Sequence, residues 1–549
     1  MYEKVVHHGA LHTVFPIRRE LSLWLWGSPW IPVIFTICLG VARFDKFQVG
    51  SNTDDAWYTV MATALARGLG YVRMWTPGLM PETNLPVGYP LLLAPLRWAF
   101  PDTFVPLQML SLVAAVGIVI LCYVYYSRRL EQSLAWLITL LLAVHVAFVG
   151  SAVMVMTEAP YTLLSIGMLI LIDILQESDR RRSIARYFLV GLLGTSACLV
   201  RGWGIALMAA AVVYFLGKHR WREMVGLVVP FAALYGLWSA RNVSLGGTML
   251  SNNVGPTTFV SVVQQLNPDQ NPINKVLIQW VQELPELLIP LIFGPKISNA
   301  LQQLGLGFAP WMIGGIVLLT VVAGYLLRIR KGWTLAEVYT PAYVALLALA
   351  PLDATKRYLV PLLPLLLYYF AVGLQHLASF VSHRFGWRGI AKGGSYVVLA
   401  MLVVLHLGRN VQEIRNPLRN RIPDVALGAG WIARNTPSDA VVMALIPRVT
   451  YLYAQRVTVP FPDGGGEIYD AYPGLVTAES SVRFQEAIER YSVDYILVEP
   501  ILKPGIPFKW SSYIRDEIVP VLEQEPSRFR LVFADDSGLI RVYQVLERK

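Results

Sequence analysis

Long apolar runs separated by short basic turns fill the first three quarters of the chain. Runs able to cross a hydrocarbon core of about 30 Å fall near residues 24–43, 104–126, 134–150, 157–176, 187–200, 203–217, 223–240, 306–327, 337–352, 358–380 and 393–408. This predicts a mainly α integral membrane protein with a bundle of about eleven helices. Two further stretches are apolar but read differently. Tyr89 to Phe100 is short and holds Pro90, Pro95 and Arg97, while Ile273 to Phe293 carries Lys275, Gln279, Gln282, Glu283 and Glu286. Both are expected to lie along the outer interface.

The basic turns set an orientation. With the N-terminus cytoplasmic, the inner turns hold Arg128-Arg129, Arg180-Arg181-Arg182, Lys218 to Arg222, Arg328 to Lys331 and Arg384 to Lys392, the positive-inside bias. An odd number of spans then puts residues 409–549 outside. There the period changes, with helices expected near Val425–Arg434 and Val482–Tyr491. Strands are expected at Val441–Leu445, Arg456–Val459, Tyr495–Glu499, Arg530–Ala534 and Leu539–Val545. The expected organisation is a transmembrane module, 1–408, with a first outer loop at 44–103 and a long one at 241–305. A soluble extracytoplasmic α/β domain, 409–549, follows.

Composition agrees: 55% of the 549 residues are hydrophobic and only 15% charged, with a mean hydropathy of +0.50. The net charge of +10 does not point to nucleic acid, because from Arg409 onward 17 Lys+Arg face 18 Asp+Glu. The excess belongs to the membrane part. Near the start, Lys4, Arg18 and Arg19 precede a first apolar run long enough to be kept as a span rather than cleaved. Cys38, Cys122 and Cys198 all fall in apolar runs and read as buried apolar residues. Asp463-Gly464-Gly465-Gly466-Glu467 lacks the strand, helix and Lys of a phosphate loop and reads as a turn.

The candidate chemistry lies on one side of this plan. Asp54 and Asp55 follow the first span, Glu158 opens the fourth, and Arg201 caps the turn between the fifth and sixth. Arg241 ends the seventh, and Lys356-Arg357-Tyr358 opens the tenth. Asp54 and Tyr58, four apart, share one helix face, so Asp55 points elsewhere. Each also has a structural reading: Asp as a helix N-cap, Glu158 answering a helix dipole, arginines reaching lipid headgroups. Acids and arginines at one depth are nevertheless what transfer from a phosphate-bearing lipid requires. A carboxylate takes a proton and guanidinium groups hold the departing phosphate. Outer-loop histidines are nearly absent, which excludes a His-rich zinc site. A divalent cation on Asp54, Asp55 and Glu158 is the one cofactor the pattern allows.

These residues resemble the GT-C fold of membrane glycosyltransferases, in particular the bacterial branch related to protein O-mannosyltransferases and the aminoarabinose transferase of lipid A. The resemblance rests on Asp54-Asp55-Ala56-Trp57-Tyr58, Leu85-Pro86-Val87-Gly88-Tyr89-Pro90-Leu91 and Thr157-Glu158-Ala159-Pro160. Trp238-Ser239-Ala240-Arg241-Asn242 and the run Arg357-Tyr358-Leu359-Val360-Pro361 complete it, in the family's order. It implies inverting transfer of a sugar from a polyprenyl-phosphate donor to a glycan, lipid or protein acceptor on the outer side. Carried over, Asp54 is the general base, Asp55 supports substrate binding or the base itself, and Arg201 and Arg357, with Tyr58 or Tyr358, bind the donor phosphate. Tyr58, Tyr89, Glu158, Arg201, Arg241, Lys356, Arg357 and Tyr358 are the substrate-binding candidates. The chain departs from the pattern at Asp55, where relatives often have Glu, and at Trp57, where some carry a basic residue. The alternative is a transporter or flippase of lipid-linked sugars, which would place ionisable groups near the bilayer midplane.

Overall fold

The computed structural model describes residues 28–44, 48–177, 184–247, 292, 309–348, 355–385, 390–416, 426–462, 480–500 and 513–546. The expected interfacial segment Ile273–Phe293, apart from Ile292, and the Asp463–Glu467 turn lie outside these residues.

The helical part begins with α1 (Trp30–Val41), followed, in what the sequence predicts as the first outer loop, by α2 (Asp54–Ala66) and α3 (Gly88–Ala99). The bundle continues through α4 (Val105–Ser127), α5 (Gln132–Val144), α6 (Val146–Ser151), α7 (Glu158–Glu177), α8 (Ile184–Val200), α9 (Ile205–Gly217) and α10 (Trp221–Ser244). It closes with α11 (Ala309–Arg330), α12 (Leu335–Ala348), the short α13 (Thr355–Tyr358), α14 (Leu363–Phe385) and α15 (Ile390–Arg415). Among the described residues, six helices are long and apolar enough to cross a membrane, and five shorter apolar helices accompany them. At a rise of about 1.5 Å per residue, a helix of 23 residues such as α4 spans the hydrocarbon core. The expected 134–150 span is instead broken at His145, whose extended backbone (φ −64°, ψ 122°) separates α5 from α6. The helix expected at 393–408 runs on to Arg415. The helix α3 is too short to count among the spans and packs its start on α8, where a Cβ at Gly88 would stand 2.6 Å from the Leu199 carbonyl carbon; it buries Tyr89 and Leu93 and exposes Leu91, Leu92 and Trp98.

Lipid is as apolar as the side chains of the helices, so close backbone approach does much of the packing. A Cβ added at Gly324 on α11 would stand 1.9 Å from Tyr369 O on α14, and one at Gly373 would stand 2.0 Å from Thr320 O. The two helices cross at these glycines.

The first outer loop is organised around Glu82, which is fully buried. Its carboxylate accepts from Trp57 Nε1 (2.7 Å), Arg73 Nε (3.0 Å) and the Asn84 N–H (2.6 Å). A buried charge is tolerated only when satisfied in this way.

The C-terminal part is a small α/β unit. In chain order it holds α16 (Leu427–Asn435), β1 (Val441–Ala444), α17 (Pro447–Ala454), β2 (Val457–Pro460), α18 (Ser480–Tyr491) and β3 (Tyr495–Val498). A π-helical turn, α19 (Val519–Gln524), β4 (Phe529–Ala534) and β5 (Arg541–Val545) follow. The sheet order is β2-β1-β3-β5-β4, with β1 parallel to β2 and β3, and β5 antiparallel to β3 and β4. Alternate residues of β1 and β3 feed two cores: Met443, Ile496 and Val498 on one face, Val442, Ala444 and Leu497 on the other.

This unit docks on the first outer loop. Val449, Tyr451 and Leu452 of α17 join the same apolar core as the membrane helices. Tyr453 Oη donates to Val49 O, and the Thr458 N–H donates to Trp75 O at 2.8 Å.

Candidate active site

The site grows from a tight turn. The Asp54 N–H donates to Asn52 O at 2.6 Å, and Thr53 between them has φ 59° and ψ −48°. This is a three-residue γ-turn of the rare positive-φ form. From it α2 starts with the acidic pair. The two aspartates part company at once. Asp55 is fully buried, and its carboxylate accepts from the Gly50 N–H (2.8 Å) and the Ala56 N–H (2.9 Å). Burial pushes it up to about 7, with the neighbouring Asp54 charge adding and the backbone donors opposing. Asp54 keeps 27% of its side chain exposed, and its Oδ2 accepts from Arg357 Nη2 at 2.7 Å.

Arg357 also reaches Glu158, with Nε 3.1 Å from Oε1. Glu158 opens α7 and is buried. Its Oε1 lies 3.0 Å from Arg201 Nη1, which donates to Thr157 Oγ1 at 2.6 Å. Arg201 stands on the extended residue (φ −146°, ψ 122°) before the 3-10 turn Gly202–Gly204, which is what turns its side chain inward. The Tyr358 ring lies beneath both cations, 4.9 Å from Arg201 Cζ and 5.4 Å from Arg357 Cζ. Trp203 stacks on the same ring at 5.3 Å, and Tyr343 Oη donates to Tyr358 O at 2.8 Å. Two carboxylates and two guanidinium groups therefore meet with their charges balanced. The Nε of Arg201 is buried with no hydrogen-bond partner, a donor for which an anion is the natural acceptor.

Asp54, Glu158, Arg201, Arg357 and Tyr358 converge as the sequence suggested. Tyr58 stands beside them, its ring and that of Tyr89 T-shaped with centroids 5.0 Å apart. Tyr89 is itself fully buried, behind Tyr58. Arg241 is placed elsewhere, donating to Glu82 O (2.6 Å), Tyr71 O (3.3 Å) and Asn242 Oδ1 (2.9 Å). It ties the outer hairpin to the end of α10. The side chain of Lys356 lies outside the described residues. Asp54, Asp55 and Glu158 do not face one point here: Asp55 is buried with its oxygens on the Gly50 and Ala56 N–H groups, while Asp54 and Glu158 share Arg357. Among the described residues no three His, Cys, Asp or Glu side chains stand together as a metal site. The sequence pattern passed over Glu82, Trp203 and Tyr343. Trp203 had one visible signal, its place in the glycine-flanked turn beside Arg201.

No family model and no curated protein matches the chain. Solved structures do. The oligosaccharyltransferase of Archaeoglobus fulgidus in its apo form is 12% identical, with a TM-score of 0.56 over 87% of this chain and 70% of that one. ArnT from Cupriavidus metallidurans in the apo state is 13% identical, with a TM-score of 0.54 over 94% of this chain and 97% of that one. The same protein bound to undecaprenyl phosphate matches over the same shares, at 13% identity, with a TM-score of 0.50. From the membrane helices through the soluble domain, the chain is an integral membrane protein with the GT-C fold of these glycosyltransferases.

Proposed function

We propose that the chain is an inverting glycosyltransferase that moves a sugar from a polyprenyl-phosphate donor to an acceptor hydroxyl on the outer face of the membrane. One observation carries the reading: Arg357 bridges Asp54 and Glu158 while Arg201 backs Glu158 from the other side. A partly exposed acid, a partly exposed cation and a buried one are thereby held at one place. The fold neighbour solved with undecaprenyl phosphate supports a lipid-phosphate donor. Glycan, lipid and protein acceptors all offer the hydroxyl the step needs.

In this reading the donor phosphate competes with Asp54 for Arg357. Once Arg357 turns to the phosphate, the Asp54 carboxylate is free to act as base. It takes the acceptor proton as the acceptor oxygen bonds to the anomeric carbon from the face opposite the phosphate. The bond between that carbon and the phosphate oxygen breaks, its electron pair leaves with the phosphate, and Arg201 and Arg357 hold the charge. Asp55 is fully buried, with a backbone N–H on each oxygen, and serves by shaping the turn that carries Asp54. The N-terminus is cytoplasmic, and the α/β domain lies outside, in the periplasm of a bacterial inner membrane.

The test is incubation of purified protein with a panel of undecaprenyl-phosphate sugars and an envelope extract as acceptor, scoring free lipid phosphate and product anomer. Release with inverted configuration is expected. No release from any donor, or retention of configuration, overturns the reading.

A further inference from the structure

We infer that the soluble domain aims Asp54 at its substrate, through Arg448 on α17 acting as a positioning residue for the turn before α2. The inference rests on the proposed role of Asp54 as base and goes beyond it, to what holds that base in place.

The turn needs holding. Thr53 is β-branched and sits at φ 59°, a conformation that persists only where its surroundings impose it. The Thr53 side chain makes no capping hydrogen bond to α2, so on the backbone side Asp54 is set by the turn and by what holds it, while Arg357 holds its carboxylate. Two side chains of α17 grip residues 49–53 from the opposite domain. Tyr453 Oη donates to Val49 O, and Arg448 Nε donates to Thr53 O at 3.2 Å. The Thr53 carbonyl also accepts the first helical N–H, from Trp57, at 3.2 Å. Arg448 therefore binds the atom that joins the strained turn to the helix carrying Asp54.

The guanidinium also lies over the Trp57 ring, with Cζ 4.7 Å from its centroid. That ring cannot turn away, because its Nε1 donates to Glu82 and its edge meets Trp75 at 6.0 Å. The charges facing Arg448 are Asp54, Glu82 and Asp55, with Arg73 opposing.

The experiment compares full-length Arg448→Gln, Arg448→Lys, Thr53→Gly/Arg448→Gln and Asp54→Asn. It measures kcat and KM for release of lipid phosphate from the donor active in the panel, and affinity for undecaprenyl phosphate alone. Arg448→Gln is expected to lower kcat at least tenfold while undecaprenyl phosphate binds within threefold of the parent. Arg448→Lys keeps a donor and a cation and is expected to recover part of kcat. Glycine at position 53 adopts positive φ without strain, so the double variant is expected to recover turnover lost by Arg448→Gln. An unchanged kcat in Arg448→Gln overturns the inference, as does a parallel loss of undecaprenyl phosphate affinity or no recovery in the double variant. If Asp54→Asn itself turns over normally, the base assignment has failed instead.

Discussion

Because Arg357 is shared between Asp54 and Glu158, two neutralising substitutions should move lipid-phosphate affinity in opposite directions. In Arg357→Gln the phosphate loses one charge-assisted hydrogen bond, worth about 1.5–3 kcal/mol. Arg357 is 30% exposed, so solvent screening favours the lower end. At about 1.4 kcal/mol per decade, affinity for undecaprenyl phosphate falls roughly tenfold or more. Asp54→Asn removes the carboxylate that holds Arg357 at 2.7 Å, and with it the competitor. Binding is then as tight as in the parent or tighter, by at most about 1 kcal/mol for so accessible a pair. Turnover of the same variant falls by about 10²–10⁴, the usual contribution of a general base. Titration of detergent-solubilised protein with undecaprenyl phosphate, followed by tryptophan fluorescence, reads both affinities. Parent-like binding in Arg357→Gln, or weakened binding in both variants, would refute the argument that phosphate and Asp54 compete for one guanidinium.

Other outcomes follow from geometry away from the site. Glu499, just past β3, is buried with Oε1 lacking a partner, and burial pushes it up to about 8. The folded state therefore binds this proton more tightly than the unfolded one, and the stability it gives below about pH 4.5 is lost as pH rises through about 8. Glu499→Gln should melt like the parent near pH 5 and at a higher temperature than the parent near pH 9; equal melting at both would remove the buried carboxylate from the account. Gly324→Ala drives a Cβ to 1.9 Å from the Tyr369 carbonyl. It should cost about 1–3 kcal/mol as α11 and α14 part, seen as a lowered melting temperature, with no change meaning that the crossing is looser than described. A cysteine replacing Asp536 in the soluble domain should react with an impermeant maleimide on intact cells, and one replacing Arg330 should react only after lysis. The reverse pattern would invert the topology.

Much of this architecture is written in the apolar runs, because a helix in lipid must be apolar along most of its length. The start of α7 at Glu158 and the shared face of Asp54 and Tyr58 were both readable from spacing alone. Side-chain direction across loops was not. Arg241 and Arg357 look alike in sequence, each beside the end of a span. Only the path of the outer hairpin sends one to Glu82 and the other to Asp54. The motif at 85–91 marks Tyr89 but not its burial against Tyr58. The helix α17 went unread because its eight residues are mixed in character and lie between two strands. Pro447 in its first turn was the available signal. What α17 contributes depends on a partner surface far away in sequence, and no local pattern records that.

The grip of α17 on the first outer loop joins positions 395 and 404 residues apart. At about 5–20 residues per second, a ribosome needs roughly 20 to 80 s to make the second partner after the first. Throughout that interval the nascent loop waits without the segment that grips residues 49–53. A chain broken off between Tyr358 and Arg448 would thus carry Asp54, Glu158, Arg201 and Arg357 and still lack the contact to the turn before α2.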